Sequence, residues 1–288
     1  MKKVAIVTDS NCGLSQDEAK EMGCYLIPMP FIIDGDEYLE GVSLTHEKFY
    51  EIQASGKRIT TSQPNINEIV DLWKKLLKSY DEIVHIPMSS GLSQSMETAQ
   101  SFAKEFNGKV QVVDNKRISI TMKSSVRDAL NMARDGKTAK QIKDFLEETA
   151  LDSSIYLVVD TLKYLKQGGR ITPAAAAIGT VLNIKPVLQI QGGKLDRLAK
   201  VLNVKSAKAK MLEALKKDLD GRFKGFVEDG SLRLSVAHTC NKEMAEEFAK
   251  EIRALWPNLK FEFVDELSLS IATHTGPKVL ACGSYRVY

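Results

Sequence analysis

The chain has 288 residues, 43% of them apolar and 27% charged, with 40 basic residues against 37 acidic ones and four cysteines. That composition excludes a disordered or collagen-like chain, and a net charge of +3 excludes a general nucleic-acid binder. The length reaches the size at which a single hydrophobic core stops growing, so two domains are expected.

Val4 to Val7 is too short an apolar run for a secretory signal and reads as a strand buried on both faces. Ser15 with Glu18 three residues later is a capping box for a first helix, which Gly23 stops. Asn65 and Glu68 repeat the start signal before Ile69, Leu72, Trp73, Leu76 and Tyr80, an apolar stripe at helical spacing. Ile83 to Pro87 is a second buried strand. Ala99, Phe102, Ala103 and Phe106 give the next helical face, closed by Gly108, and Val110, Val112 and Val113 the strand after it. Strands alternating with helices across short loops predict a mainly parallel sheet flanked by helices. Two helical segments, around Ser125 to Ala133 and Ile142 to Ala150, close this unit, so the expected domains are 1–150 and 151–288.

In the second half Ile155 to Val159 is again a continuous apolar strand. Leu232, Leu234 and Val236 alternate with Arg233 and Ser235, the pattern of a strand with one wet face. Asn241 is placed to cap a helix bearing Met244, Phe248, Ile252 and Leu255, and Phe261 and Phe263 open another alternating strand. A second α/β domain with a mixed or antiparallel sheet follows. The apolar stretch from Pro173 to Ile184 is too interrupted to span a bilayer, so a cytoplasmic protein is expected. Cys12, Cys24, Cys240 and Cys282 have no paired metal spacing and read as reduced, mostly buried thiols. No phosphate-binding loop, dinucleotide fingerprint or His-Glu-x-x-His helix is present, and neither cofactor nor metal is expected.

Three strand ends of the first half enter loops crowded with hydroxyls: Thr8-Asp9-Ser10, Thr60-Thr61-Ser62 and Ser89-Ser90-Gly91-Leu92-Ser93. Hydroxyls and helix N–H groups beyond the carboxyl ends of parallel strands can bind an anion, although Ser62 and Ser93 serve equally well as helix caps. Gly91-Leu92-Ser93-Gln94-Ser95 resembles a nucleophile elbow lacking its last glycine. With Asp160, His238 and His274 following in order, a serine hydrolase acting on acyl esters or thioesters is the alternative reading. In Gln167-Gly168-Gly169-Arg170-Ile171-Thr172-Pro173, Thr172 can cap a helix with Pro173 at its first position. Arg170 there is either a seat for a carboxylate or phosphate or a brace for the loop through Asp160. The apolar residues behind it, Ala174 to Ala177 with Ile178, Val181, Leu182 and Ile184, suit close packing or the wall of a narrow channel. His274-Thr275-Gly276-Pro277 places an imidazole beside a turn, whereas His85 falls inside a strand as a core residue.

Asp9-Ser10, Thr61-Ser62-Gln63-Pro64, Ser89-Ser90-Gly91-Leu92-Ser93, Val112-Val113-Asp114, Asp160-Thr161-Leu162, Gly168-Gly169-Arg170-Ile171, Ile184-Lys185-Pro186 and His274-Thr275-Gly276-Pro277 together resemble, in order and spacing, the DegV family. The resemblance implies a bacterial fatty-acid-binding protein of two α/β domains that buries an acyl chain. Such a protein is a carrier and not itself an enzyme: it presents the carboxylate to a separate ATP-dependent kinase, and the acyl phosphate feeds phospholipid synthesis. By the same resemblance Thr61, Ser62 and Ser93 hold the carboxylate, with Arg170 and His274 as positive or donor partners. From Lys194 to Lys224 ten basic residues face four acidic ones, and Lys205, Lys208, Lys210, Lys216 and Lys217 accompany an apolar helical stripe. Transient contact with an anionic membrane surface is one use for that face, a solvated surface the other.

Overall fold

The computed structural model describes residues 2–177 and 184–288, which divide into two compact units. The first holds Met1–Ala150 together with Ser268–Ser270 and Tyr288; the second holds Leu151–Leu267 and Ile271–Val287. The residues expected to wall a channel after Ala177, among them Ile178, Val181 and Leu182, lie outside the described ones.

The first unit runs β1 (Val4–Asp9), α1 (Gln16–Met22), β2 (Tyr25–Ile27), β3 (Pro30–Ile33), β4 (Asp36–Leu39), α2 (His46–Ala54), β5 (Ile59–Thr61), α3 (Ile66–Leu76), β6 (Glu82–Ile86), α4 (Ser95–Ala103), β7 (Val110–Val112), α5 (Ser119–Arg134) and α6 (Ala139–Glu148). Its main sheet, β2-β1-β6-β7, is parallel throughout. Alternate residues decide what each face buries. Ala5, Val7, Ile83, Val110 and Val112 meet Ile69, Trp73 and Leu76 of α3 and Met96 and Ala99 of α4, while α5 and α6 pack on the same strands. Ser15 and Glu18 form the predicted capping box, and Asn65 caps α3 by accepting from the Asn67 N–H at 3.0 Å. Each such cap is worth about 1 kcal/mol. A small antiparallel sheet, β4-β3-β5, escapes the sequence reading because its strands are three or four residues long.

The second unit runs β8 (Ser153–Val158), α7 (Lys163–Gly168), α8 (Pro173–Ala176), β9 (Lys185–Ile190), β10 (Asp196–Val201), α9 (Val204–Asp220), α10 (Lys224–Glu228), β11 (Leu232–His238), α11 (Lys242–Leu255), β12 (Lys260–Glu266), α12 (Leu269–Thr275) and β13 (Leu280–Arg286). The sheet order is β10-β9-β8-β13-β11-β12, mixed because β11 and β12 are parallel and the other neighbours antiparallel. Tyr156, Val158, Val187, Leu234, Val236 and Leu280 bury one face beneath Met211 and Leu215 of α9 and Phe248 and Ile252 of α11. Full burial of a side chain such as Phe248 contributes about 2–3 kcal/mol.

Two expectations are corrected here. The Ser235 side of β11 is not wet: Ser235 is fully buried, and its hydroxyl lies 2.6 Å from the Tyr285 hydroxyl, which itself donates to Glu262. A buried serine survives in a strand when its hydroxyl finds such a partner. Asn241 occupies the cap position of α11 but makes no side-chain cap bond, its amide Nδ2 lying instead 3.6 Å from Met244 Sδ. Cys12, Cys24 and Cys282 are buried free thiols, and Cys240 is exposed. Among the described residues no helix is long and apolar enough to cross a membrane, and no cluster of ligating side chains could hold a metal ion.

Candidate functional site

Of the candidate hydroxyls in the first unit only Ser93 follows a parallel strand, β6; Thr61 and Ser62 lie at the end of β5, in the antiparallel sheet, which corrects the expectation that all three loops extend a parallel one. Thr61 closes β5 opposite Phe31, and Ser62 donates its backbone N–H to the Pro30 carbonyl at 3.3 Å. Because Asn65 already caps α3, the Ser62 hydroxyl is not used as that helix's cap. Ser93 lies between β6 and α4. Its N–H donates to the Ser89 carbonyl at 3.1 Å, and its Oγ accepts from the Ser95 N–H at 3.2 Å and lies 2.9 Å from the Ser95 hydroxyl. It therefore does help start α4, and the residue is half-buried. Gln63 draws the two segments together, its Oε1 accepting from Thr98 Oγ1 at 3.1 Å, one turn into α4.

The remaining serines of these loops are structural. Ser90 Oγ donates to Asp114 at 2.7 Å beside the Lys116 ammonium, which holds the Asp114 carboxyl below its ordinary value against the opposing effect of burial. Ser89 Oγ accepts from the Gly91 N–H at 3.1 Å. Asp9 is buried and takes the N–H groups of Asn11 and Met88, both at 2.9 Å, tying the end of β1 to the β6 loop, while burial raises its pKa. Ser10 donates to Glu40, a fully enclosed carboxyl whose other oxygen accepts from the Leu269 N–H at 2.5 Å. Burial pushes Glu40 up to about 7, against the pull of those two hydrogen bonds.

In the second unit the structure brings Arg170 and His274 together. α7 ends at Gly168, and Gly169 follows at φ +68°, a left-handed turn that a side chain would strain. Arg170 folds back to donate from Nη1 to the Gly168 carbonyl. Its own carbonyl accepts from the Leu195 N–H at 3.1 Å, and the Thr172 N–H donates to the Leu195 carbonyl at 2.9 Å, so the loop is stitched to the approach of β10. Thr172 caps α8 with Pro173 at its first position, accepting from the Ala175 N–H at 3.2 Å while its hydroxyl donates to Asp196 at 2.7 Å. Asp160, the other partner considered for Arg170 and the acid of a hydrolase triad, is ion-paired with Lys185. His238 Nδ1 accepts from the Asn241 N–H at 3.5 Å.

His274 lies in the last turn of α12. Burial and the Arg170 charge pull its pKa down to about 4, so the imidazole is neutral at neutral pH. The neutral ring carries one N–H donor and one acceptor nitrogen but no charge, and among the candidate residues the positive charge belongs to Arg170. A half-buried guanidinium beside a neutral donor suits a carboxylate, which a guanidinium can take through two parallel hydrogen bonds. The sequence reading missed how Gly168 and Gly276 admit neighbouring rings. A Cβ at Gly168 would lie 3.0 Å from His274 Cε1, and one at Gly276 2.5 Å from the Tyr164 ring. The glycine pair before the candidate Arg and the single glycine two residues after the candidate His were the signal in the sequence.

α9 carries the expected lysines, but Lys208, Lys210 and Lys216 form ion pairs with Glu251, Glu213 and Asp220. His85 is a core residue, as its place in a strand implied. Its Nδ1 has no hydrogen-bond partner and its ring stands edge-on to Trp73.

A family profile described as "Uncharacterised protein, DegV family" matches residues 3–287. A DegV domain-containing protein of Clostridium perfringens is 31% identical over 289 residues, covering 98% of this chain and 97% of its own. Among solved structures, one of a DegV family protein from Thermus thermophilus, described by its fatty acid binding, is 27% identical with a TM-score of 0.88 and full coverage of both chains. A stearic-acid-binding protein from Eubacterium ventriosum is 26% identical with a TM-score of 0.87, covering 99% of this chain and 98% of its own.

Proposed function

The chain belongs to the DegV family, and on that premise we propose that it is a fatty-acid-binding protein. The observation that carries the proposal is the whole-chain likeness to the Thermus thermophilus and Eubacterium ventriosum proteins, which are described as binding fatty acids. The properties of the candidate residues support it. Thr61, Ser62 and Ser93 supply hydroxyls at strand ends, Arg170 supplies a guanidinium, and His274 supplies an uncharged ring nitrogen.

In this reading the carboxylate of the lipid is bound by Thr61, Ser62, Ser93, Arg170 and His274, and the acyl chain is shielded from water. The protein performs no turnover itself and acts in the cytoplasm. It presents the carboxylate to a separate ATP-dependent kinase, whose acyl-phosphate product enters phospholipid synthesis. Transient contact of the basic face of α9 with anionic lipid accompanies loading. The unpaired lysines of that helix would supply the attraction.

Native mass spectrometry of protein purified from a bacterial host tests the core of this reading, with an added mass equal to a fatty acid expected. Arg170→Ala removes a charge-assisted hydrogen bond worth about 1.5–3 kcal/mol, so affinity should fall roughly ten- to a hundredfold. Protein that stays empty after incubation with fatty acids would overturn the proposal.

A further inference from the structure

Gly168 is the last residue of α7, and its φ does not lie in the left-handed region, so its backbone is one that any residue adopts. Alanine is the better helix former, which leaves the absence of a side chain there unexplained by conformation. Packing supplies the reason. The three His274 atoms nearest to where a Cβ would stand are Nδ1, Cε1 at 3.0 Å and Cγ at 3.1 Å, and Nδ1 would overlap it outright. The imidazole thus lies edge-on against the Gly168 backbone, and its Nε2–Cδ2 side is turned away from α7.

A reciprocal contact sits one turn earlier. Tyr164 and Gly168 are four residues apart and share a face of α7. The Tyr164 ring rests on Gly276, where a Cβ would meet Cδ2 at 2.5 Å and Cε2 at 2.6 Å. Each segment therefore gives a ring and receives a ring, and Arg170, held by the Gly168 carbonyl, acts electrostatically on the same imidazole.

We propose that Gly168, with Tyr164 one turn before it, is a positioning residue that seats the His274 imidazole with Nε2 outward, toward the ligand carboxylate. The proposal rests on the carboxylate reading of His274, and its first readout needs no ligand.

The experiment follows the His274 ring by NMR, with its signal assigned by comparison with His274→Gln, in wild type, Gly168→Ala and Gly193→Ala. Gly193 is a suitable control, since a Cβ there meets nothing within 4 Å and its φ lies outside the left-handed region. In Gly168→Ala the His274 pKa should rise by more than one unit from about 4 toward 6.5, because the ring is expelled from its buried place. Gly193→Ala should leave it unchanged. Stearate affinity should fall about tenfold in Gly168→Ala, and Gly168→Ala should add nothing to the loss in a His274→Ala background, where the methyl has room. If the single variant fails to fold, the double variant, which lacks the clashing ring, should fold. An unchanged His274 titration in Gly168→Ala, or a Gly168→Ala loss that adds in full to His274→Ala, would overturn the proposal. If wild type binds no stearate while the titration shifts as expected, the seat stands and the carrier reading alone fails.

Discussion

His85 lies within β6, 2% exposed, with its ring centroid 5.5 Å from that of Trp73 and its Nδ1 lacking a partner. Burial alone lowers its pKa from 6.5 to about 3. The folded value is below the unfolded one, so the unfolded chain binds the proton more readily. The stability concerned is fully present above pH 6.5 and is lost as pH falls toward 3. At pH 5 the unfolded imidazole has gained about RT ln(1 + 10^1.5), roughly 2 kcal/mol, relative to pH 8, while the folded one has gained almost nothing. His85→Phe keeps an aromatic ring and removes the titration. Its extra volume costs about 1–2 kcal/mol at every pH, so the change between pH values, not stability itself, carries the test. Urea unfolding followed by Trp73 fluorescence, with Trp256 changed to Phe so that one reporter remains, should show wild type losing about 2 kcal/mol more than the variant between pH 8 and 5. The other titrating groups, His274 among them, are common to both proteins and cancel. Equal losses would mean that the imidazole is charged or hydrated in the folded chain, and the burial argument would fail.

Glu40 titrates with the opposite sign. Its folded pKa of about 7 exceeds the ordinary 4.5, so stability present below pH 4.5 is lost as pH rises through 7, by about 3 kcal/mol. His46 and Asp9 act on it in opposite directions and stay in place in Glu40→Gln, which should remove that loss from the urea midpoints at pH 5 and 7.5. In the second unit Asp218 accepts from Ser154 Oγ at 2.5 Å, Tyr156 Oη at 2.6 Å and Arg222 Nε at 3.0 Å. Asp218→Ala removes the acceptor of both buried hydroxyls, but Ser154 Oγ still accepts from Gln191 Nε2 at 3.3 Å and from Arg222, and Arg222, 37% exposed, recovers water, so a loss of about 2–3 kcal/mol is expected in urea titrations. A loss under about 1 kcal/mol would contradict that network. Burial and Asp218 both raise the Tyr156 pKa, so alkaline absorbance titration of Asp218→Asn should show a tyrosine ionising at lower pH.

The sequence by itself determined the alternation of buried strands with capped helices, because apolar period and cap chemistry are local properties. Val4–Val7, the Ser15–Glu18 box, the α3 stripe and Thr172-Pro173 are each complete within a few residues. Family membership was likewise legible from short motifs kept in order. The small sheet of β3, β4 and β5 was not, since strands of three or four residues carry too few alternations to register and exist only through partners up to thirty positions away. Of the candidate residues, sequence supplied Arg170 and His274 as separate motifs a hundred positions apart. Only the folded second unit places the guanidinium where its charge, together with burial, keeps that imidazole neutral. The same reason covers Ser235, Glu40 and Gly168. What a hydroxyl, a carboxyl or a missing Cβ is for depends on which distant group lies against it, and that is decided by packing across the chain, not along it.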